Sequence, residues 1–447
     1  MTDIAVPNGF DLPVAAAPRA GVLDAPLPAR VAVRPGDLDG LRPLLRVEVG
    51  QEVAAGAPLV TSRDDPRVAL CSPAPGRVEA VLRGPRRAVA AVVVAVDGGV
   101  AAEQDGCGSL AVAASAGELV DALLASGLWP LLRRWPLGGI ADPSVRPSAI
   151  FVSALRDDPC EPDPEWVLPR AADDFALGLE RLAGLTTGAL YLGVDGLRPT
   201  PAWAARGEVR RFTGRYPRGN PAVQAYWTDR PRRGEVAWLL DWQAALAIGR
   251  SLRRGRPSFE RVVATAGPGF LAPAAYRTLQ GAALAALPGA RADGPLRLVA
   301  GGLLTGRRVE PDGFLGFHDA VAYALPEVGA RRLLGFLRPG LDRRSRSRSF
   351  LSTLLRAAAS LPLTTARHGG PRAFVVTDVY RDVCPVEVWP DHLAKALLVG
   401  DLDAAEAHGL LDCAHCGLCA FVCPSKVEVA EVLREGAAAL RREAAHG

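Results

Sequence analysis

Four of the chain's eight cysteines fall within eleven residues, in Cys413-Ala414-His415-Cys416-Gly417-Leu418-Cys419-Ala420-Phe421-Val422-Cys423-Pro424. The spacing is C-x2-C-x2-C-x3-C-P, which is that of an iron–sulfur run. Two-residue gaps let three thiolates fold around one corner of a cubane, and proline ends the loop before the next helix. So dense a cluster in a chain otherwise poor in cysteine reads as a metal site rather than a disulfide framework. A structural zinc is the rival, because four-cysteine zinc sites also use short spacings. His415 lies inside the loop, where an imidazole faces solvent or tunes a cluster by hydrogen bonding. The other histidines, at 318, 368, 392, 408 and 446, are scattered.

Where two such runs occur in one chain, the fourth cysteine of each ligates the cluster of the other. A lone run is therefore one ligand short. Upstream, Asp382-Val383-Cys384-Pro385 supplies a second Cys-Pro, and the same spacing counted back from Cys384 lands on Tyr380, Thr377 and Phe374, none of them ligands. The first run is reduced to its fourth cysteine. On this pattern one [4Fe–4S] cluster is held by Cys413, Cys416, Cys419 and Cys384, with Cys423 left over from a lost one. The alternative is that Cys384 is an ordinary buried thiol and Cys423 closes the site.

Those residues need elements to carry them. Helical patterns over 391–399 and 402–409 run between Cys384 and Cys413, carrying the chain out and back, and further helices are expected over 350–361 and 427–445. The first hundred residues instead alternate short β-rich runs with turns. The stretches 47–60 and 72–81 resemble the two halves of a biotinyl/lipoyl-type hammerhead, with Gly50 and Gly56 at tight turns and Gly76 at a strand crossing. Such modules carry their cofactor on lysine, and there is none before Lys395, so neither biotin nor lipoyl is expected. From Gly117 the apolar spacing of Leu119, Leu123, Leu124 and Leu128 is helical. Strand-like runs at 149–152, 189–193, 236–240 and 261–265 then alternate with helices at 171–185 and through 244–249, the pattern of an α/β layer. A third unit, from about 262 to 340, has strand candidates at 296–300 and 321–324.

At 447 residues, with 49% hydrophobic and 22% charged, the composition is that of a soluble multidomain protein. No apolar stretch approaches the roughly 18 residues of a spanning helix, and the N-terminus has neither the basic region nor the apolar core of a signal peptide. The formal net charge of +4 is too small for this length to imply nucleic acid. All but two of the 52 basic residues are arginine, a skew that fits a G+C-rich genome better than phosphate recognition. One basic run, 343–349, reads as a solvated loop or helix start, with contact to anionic lipid headgroups the alternative.

The opening Asn8-Gly9-Phe10-Asp11-Leu12-Pro13 resembles the start of the A subunit of the sodium-translocating NADH:quinone oxidoreductase (Nqr). Leu123-Leu124-Ala125-Ser126-Gly127-Leu128-Trp129, Ala149-Ile150-Phe151-Val152-Ser153-Ala154, Val262-Val263-Ala264-Thr265-Ala266-Gly267-Pro268, Arg348-Ser349-Phe350-Leu351-Ser352 and Ala396-Leu397-Leu398-Val399-Gly400-Asp401 continue that likeness in order along the whole chain. From Gly409 to Lys426 the chain also resembles the C subunit of the Rnf electron-transport complex. Familiar Nqr A subunits keep Phe421-Val422-Cys423-Pro424 but lack the first three cysteines, so the run is a departure from their pattern.

The resemblance implies an N-terminal extension (1–26), a lipoyl-like barrel-sandwich hybrid (27–100), a Rossmann-like α/β domain (101–261), a β-grasp, SLBB-like domain (262–344) and a helical iron–sulfur domain (345–447). It implies a peripheral subunit on the cytoplasmic side of the bacterial inner membrane, partnered by Nqr subunits B to F, with ubiquinone as substrate of the complex. An Rnf-type C subunit of an NADH:ferredoxin oxidoreductase is the alternative, as is a zinc-stabilised assembly scaffold. At the expected helix start 126–131 there are no clustered glycines, and Trp129 would fill the space a phosphate needs. FMN and NADH binding by this chain are not expected.

Overall fold

Runs of valine that alternate or continue into buried faces build the first unit, a sandwich of two antiparallel sheets. One pairs Arg30–Val33, Val89–Val96, Gly76–Arg83 and Glu52–Val53; the other pairs Pro43–Leu45, Pro58–Ser62 and Ala69–Cys71. Val31, Leu59, Val60, Val92 and Val94 are fully buried between them. Each contributes roughly 1.5–3 kcal/mol of apolar burial. The expected glycines sit where anticipated: Gly50 and Gly56 turn the chain at φ of +90° and +83°, and a Cβ at Gly76 would lie 2.0 Å from the Ala95 carbonyl oxygen. The computed structural model describes residues 1–444 except 13, 98–109, 111–114, 205, 290, 329–362 and 367–369. The basic run at 343–349, the helix expected over 350–361, His368 and His446 lie outside the described residues.

The second unit is an α/β layer. Its sheet runs in the order Thr2–Ala5, Glu208–Thr213, Leu190–Asp195, Ala149–Ser153, Ala237–Asp241 and Arg133–Trp135. The first five strands are parallel and Arg133–Trp135 is antiparallel at the edge. Ala149–Ser153 is buried at every position, because both faces of the sheet are covered. Ile150 and Val152 meet the helices Ala172–Ala183 and Trp242–Arg254 on one face, while Ala149 and Phe151 meet Pro221–Thr228 on the other. The segment expected to begin a helix at Ser126 instead ends one. Helix Ala116–Ala125 opens with a Ser115–Glu118 capping box and is capped at its C-terminus by Ser126. Trp129 is fully buried beyond it, edge-on to Trp238.

A second six-stranded sheet is ordered Arg307–Val309, Leu296–Ala300, Val321–Pro326, Glu260–Ala266, Ala275–Leu279 and Val22–Asp24. Glu260–Ala266, read from sequence as part of the α/β alternation, belongs here, paired antiparallel with Ala275–Leu279 and parallel with Val321–Pro326. Its period-2 pattern is the same in either sheet, and pairing partners decide. The N-terminal segment likewise completes two other sheets, through Thr2–Ala5 and Val22–Asp24.

The C-terminal unit contains the helices Pro390–Leu398, Leu402–Ala407, Leu418–Val422 and Val429–Ala444. Leu393, Val429, Leu433, Tyr380 and Cys423 form its centre, in one apolar cluster with Val6, Leu155, Phe212 and Val223 of the α/β unit. No helix among the described residues is long and apolar enough to cross a membrane.

Candidate cysteine cluster site

Cys384 follows the short 3-10 turn Arg381–Val383, and Cys413 follows another, Leu410–Asp412. Between Cys416 and Leu418 the chain needs Gly417: its φ is +79°, and a Cβ there would stand 2.7 Å from the Leu304 carbonyl oxygen of the second sheet's hairpin. Cys419 then lies in helix Leu418–Val422, and Cys423 ends it.

The α/β unit holds this loop by its backbone carbonyls. Tyr216 donates its hydroxyl to the Cys416 carbonyl at 2.7 Å, and Trp227 donates its indole N–H to that of Pro385 at 2.8 Å. The Asn8 amide donates to the carbonyls of Cys384 at 3.2 Å and Arg381 at 3.3 Å, and Asn220 donates to that of Ala414 at 3.5 Å. Arg230 pairs with Asp412 at 2.5 Å, next to Cys413. These donors lie well over a hundred residues from the cysteines, and nothing in the local sequence singled them out.

Cys384, Cys413, Cys416 and Cys419 lie within electrostatic reach of one another, while the Cys423 sulfur lies beside the Tyr380 hydroxyl. Burial pushes the Cys384 thiol up to about 12, with the charge of Cys413 adding to it. Burial also raises Cys416, which the charges of Cys419, Cys384 and Cys413 raise further, and Cys419, on which Cys413 and Cys384 act. Burial opposes ionisation of Cys413 too, yet His415, whose Nδ1 is 3.9 Å from its sulfur, outweighs it and brings that thiol below its ordinary value. Four thiols that repel one another's charge are what a cationic metal centre relieves. Cys423 is fully buried, its sulfur 3.2 Å from the Tyr380 hydroxyl and accepting the Val427 N–H at 3.4 Å. Tyr380 is the residue reached by counting back from Cys384, and its ring lies 5.8 Å from that of Phe374, another of those positions. Among the described residues no group of three or more His, Cys, Asp or Glu is arranged to hold a metal ion.

Residues 4–97 match the family model described as the NqrA N-terminal barrel-sandwich hybrid domain, and residues 114–257 match that of the NqrA second alpha/beta domain. The chain is 35% identical to the A subunit of the Na(+)-translocating NADH-quinone reductase of Saccharophagus degradans, covering 98% of this chain and 100% of the relative. It is 33% identical to the corresponding protein of Alcanivorax borkumensis and 34% to that of Pseudomonas aeruginosa, each over 98% of this chain and 100% of the relative. Among solved structures, an NAD+-reducing [NiFe]-hydrogenase in the H2-reduced state is similar at a TM-score of 0.38 and 11% identity, covering 74% of this chain and 61% of that one. Full-length identity at this level, with both domain models in register, makes the chain a member of the family of Na(+)-translocating NADH-quinone reductase A subunits.

Proposed function

We propose that this protein relays single electrons through one [4Fe–4S] cluster ligated by Cys413, Cys416, Cys419 and Cys384, within a sodium-pumping respiratory NADH:ubiquinone reductase. The carrying observation is the crossed arrangement. Cys384 is coupled electrostatically to the three cysteines of the later run, while Cys423 meets Tyr380, at a ligand position of the eroded one, and this division supports the assignment. Bound there, such a cluster supplies one-electron transfer, its potential set by hydrogen bonding and solvent exposure. Asn8, Tyr216, Asn220 and Trp227 fix the loop's carbonyls, so that the thiolates need little reorganisation. The thiols release protons on binding metal.

The chain would act peripherally on the cytoplasmic face of the inner membrane, docked on the membrane-embedded members among Nqr subunits B to F, and associated with quinone through the complex. The absence of a spanning helix among the described residues supports a peripheral position. The barrel-sandwich unit would be an unmodified scaffold, since its lysine-free sequence offers no attachment point for biotin or lipoyl.

Anaerobically purified chain provides the test. Wild type and Cys423→Ser should carry about four irons and four sulfides, with a low-temperature EPR signal on reduction. Cys384→Ser should lose the cluster or convert it to a three-iron form. Loss in Cys423→Ser with retention in Cys384→Ser would reverse the ligand assignment. Zinc without iron or sulfide would mark an assembly scaffold instead, and retained FMN an Rnf-type protein.

A further inference from the structure

In the α/β sheet the chain moves from Ala149–Ser153 outward through Leu190–Asp195 and Glu208–Thr213, then returns to lay Ala237–Asp241 on the opposite side of Ala149–Ser153. The strand order therefore reverses between Ala149–Ser153 and Ala237–Asp241. Beyond the carboxyl ends of such a pair, open α/β sheets form their ligand crevice. Here that space is a crevice of about 390 Å³ whose far wall comes from other units, including Arg307 and His318. It lies in the size range of small-molecule sites.

Its walls carry polar groups that no partner among the described residues satisfies. His318 Nε2, Arg307 Nη1 and Asp157 Oδ1 are buried without a hydrogen-bond partner. Buried polar atoms are nearly always paired, so three around one cavity call for an occupant. Arg133 lines the same space, and its guanidinium makes no hydrogen bond or ion pair among the described residues. It stands close enough to act electrostatically on Asp157, Asp241 and His318. The 13-residue helix Trp242–Arg254 begins at the crevice, its N-terminus already capped by the Asp241 carboxylate, which accepts the Ala244 N–H at 2.7 Å.

Donors thus outnumber acceptors among the unsatisfied groups. The acids nearby are mostly committed: Asp37 and Asp319 engage Arg307 at 3.5 and 3.4 Å, and Asp241 engages Arg261 at 3.1 Å. Burial holds Asp157 up at about 7 and raises Glu161, which lessens their repulsion of an anion. Burial keeps His318 neutral, down at about 3, so its ring can donate an N–H without adding charge.

We propose that this switch-point crevice binds a small molecule through a carboxylate or phosphate group, gripped by Arg133, His318 and Arg307, with Asp157 meeting a hydroxyl or amino group of the same ligand. The crevice shares a wall with the cysteine loop: Tyr216 lines it and donates to the Cys416 carbonyl, and Asn220 donates both to Asp157 and to the Ala414 carbonyl.

Isothermal titration of the full chain with inorganic phosphate and with succinate, at ionic strength matched with sodium chloride, tests this. At least one probe should bind with one-to-one stoichiometry, and Arg133→Gln should weaken it tenfold or more, in line with loss of a charge-assisted contact. His318→Phe provides a second variant should Arg133→Gln misfold, and it should weaken the same probe. Binding of phosphate alone assigns a phosphate ester, and of succinate alone a carboxylate. Binding of neither probe, or equal binding by wild type and both variants, overturns the proposal.

Discussion

Cys419 and Cys423 are four residues apart on one short helical turn, yet they occupy different chemical settings. Cys419 is half-buried and within electrostatic reach of Cys384, Cys413 and Cys416, in a loop whose carbonyls are held by polar side chains from another unit. Cys423 is sealed in the apolar centre with Leu393, Val429 and Leu433, bonded to Tyr380. One run of identical residues thus yields both metal-ligand candidates and a core side chain. The residues that folding brings opposite decide between them, not the spacing of the run.

The largest expected effect is on the thiol side of that contrast. Cys416→Ser should reduce iron from about four per chain to none, read by iron and sulfide analysis. Retention of full iron in this variant would remove the basis for distinguishing the two settings.

Next comes the loop that aims the thiols. Gly417→Ala puts an L-residue at φ +79° and a Cβ 2.7 Å from the Leu304 carbonyl oxygen. The left-handed conformation alone costs about 1–2 kcal/mol, and the close contact adds to it. A loss of about 2 kcal/mol or more in denaturant unfolding, with lower iron incorporation, is expected.

On the core side, Tyr380→Phe deletes the hydroxyl beside Cys423 and should cost about 1 kcal/mol, the net value of one hydrogen bond. Iron content should not change. A variant that loses iron here would place Cys423 in the metal site after all.

The finest test is thiol reactivity in metal-free chain. Cys413, lowered by His415, should alkylate fastest with iodoacetamide; Cys384, held up at about 12, should lag, and fully buried Cys423 should be slowest. Peptide mass spectrometry gives the order, and early labelling of Cys423 would break the contrast.

Much of this was legible in the sequence. The C-x2-C-x2-C-x3-C-P run, the glycines at 50, 56 and 76, and the valine-rich strands around them follow from local spacing and backbone freedom, which neighbouring residues set. The two helices between Cys384 and Cys413 were likewise readable from their apolar period. Local pattern could not give the sheet to which Glu260–Ala266 belongs, because a strand's period is the same whichever partner it pairs with. It misread 126–131 as a helix start, since Gly127 at φ +69° terminates a helix as readily as a glycine precedes one. It did not tie Asn8, Tyr216 and Trp227 to the cysteine loop, nor Arg133, Asp157 and His318 to the crevice. Their meeting is a product of chain reversal and domain packing, and contacts across hundreds of residues leave no trace in the spacing of either partner.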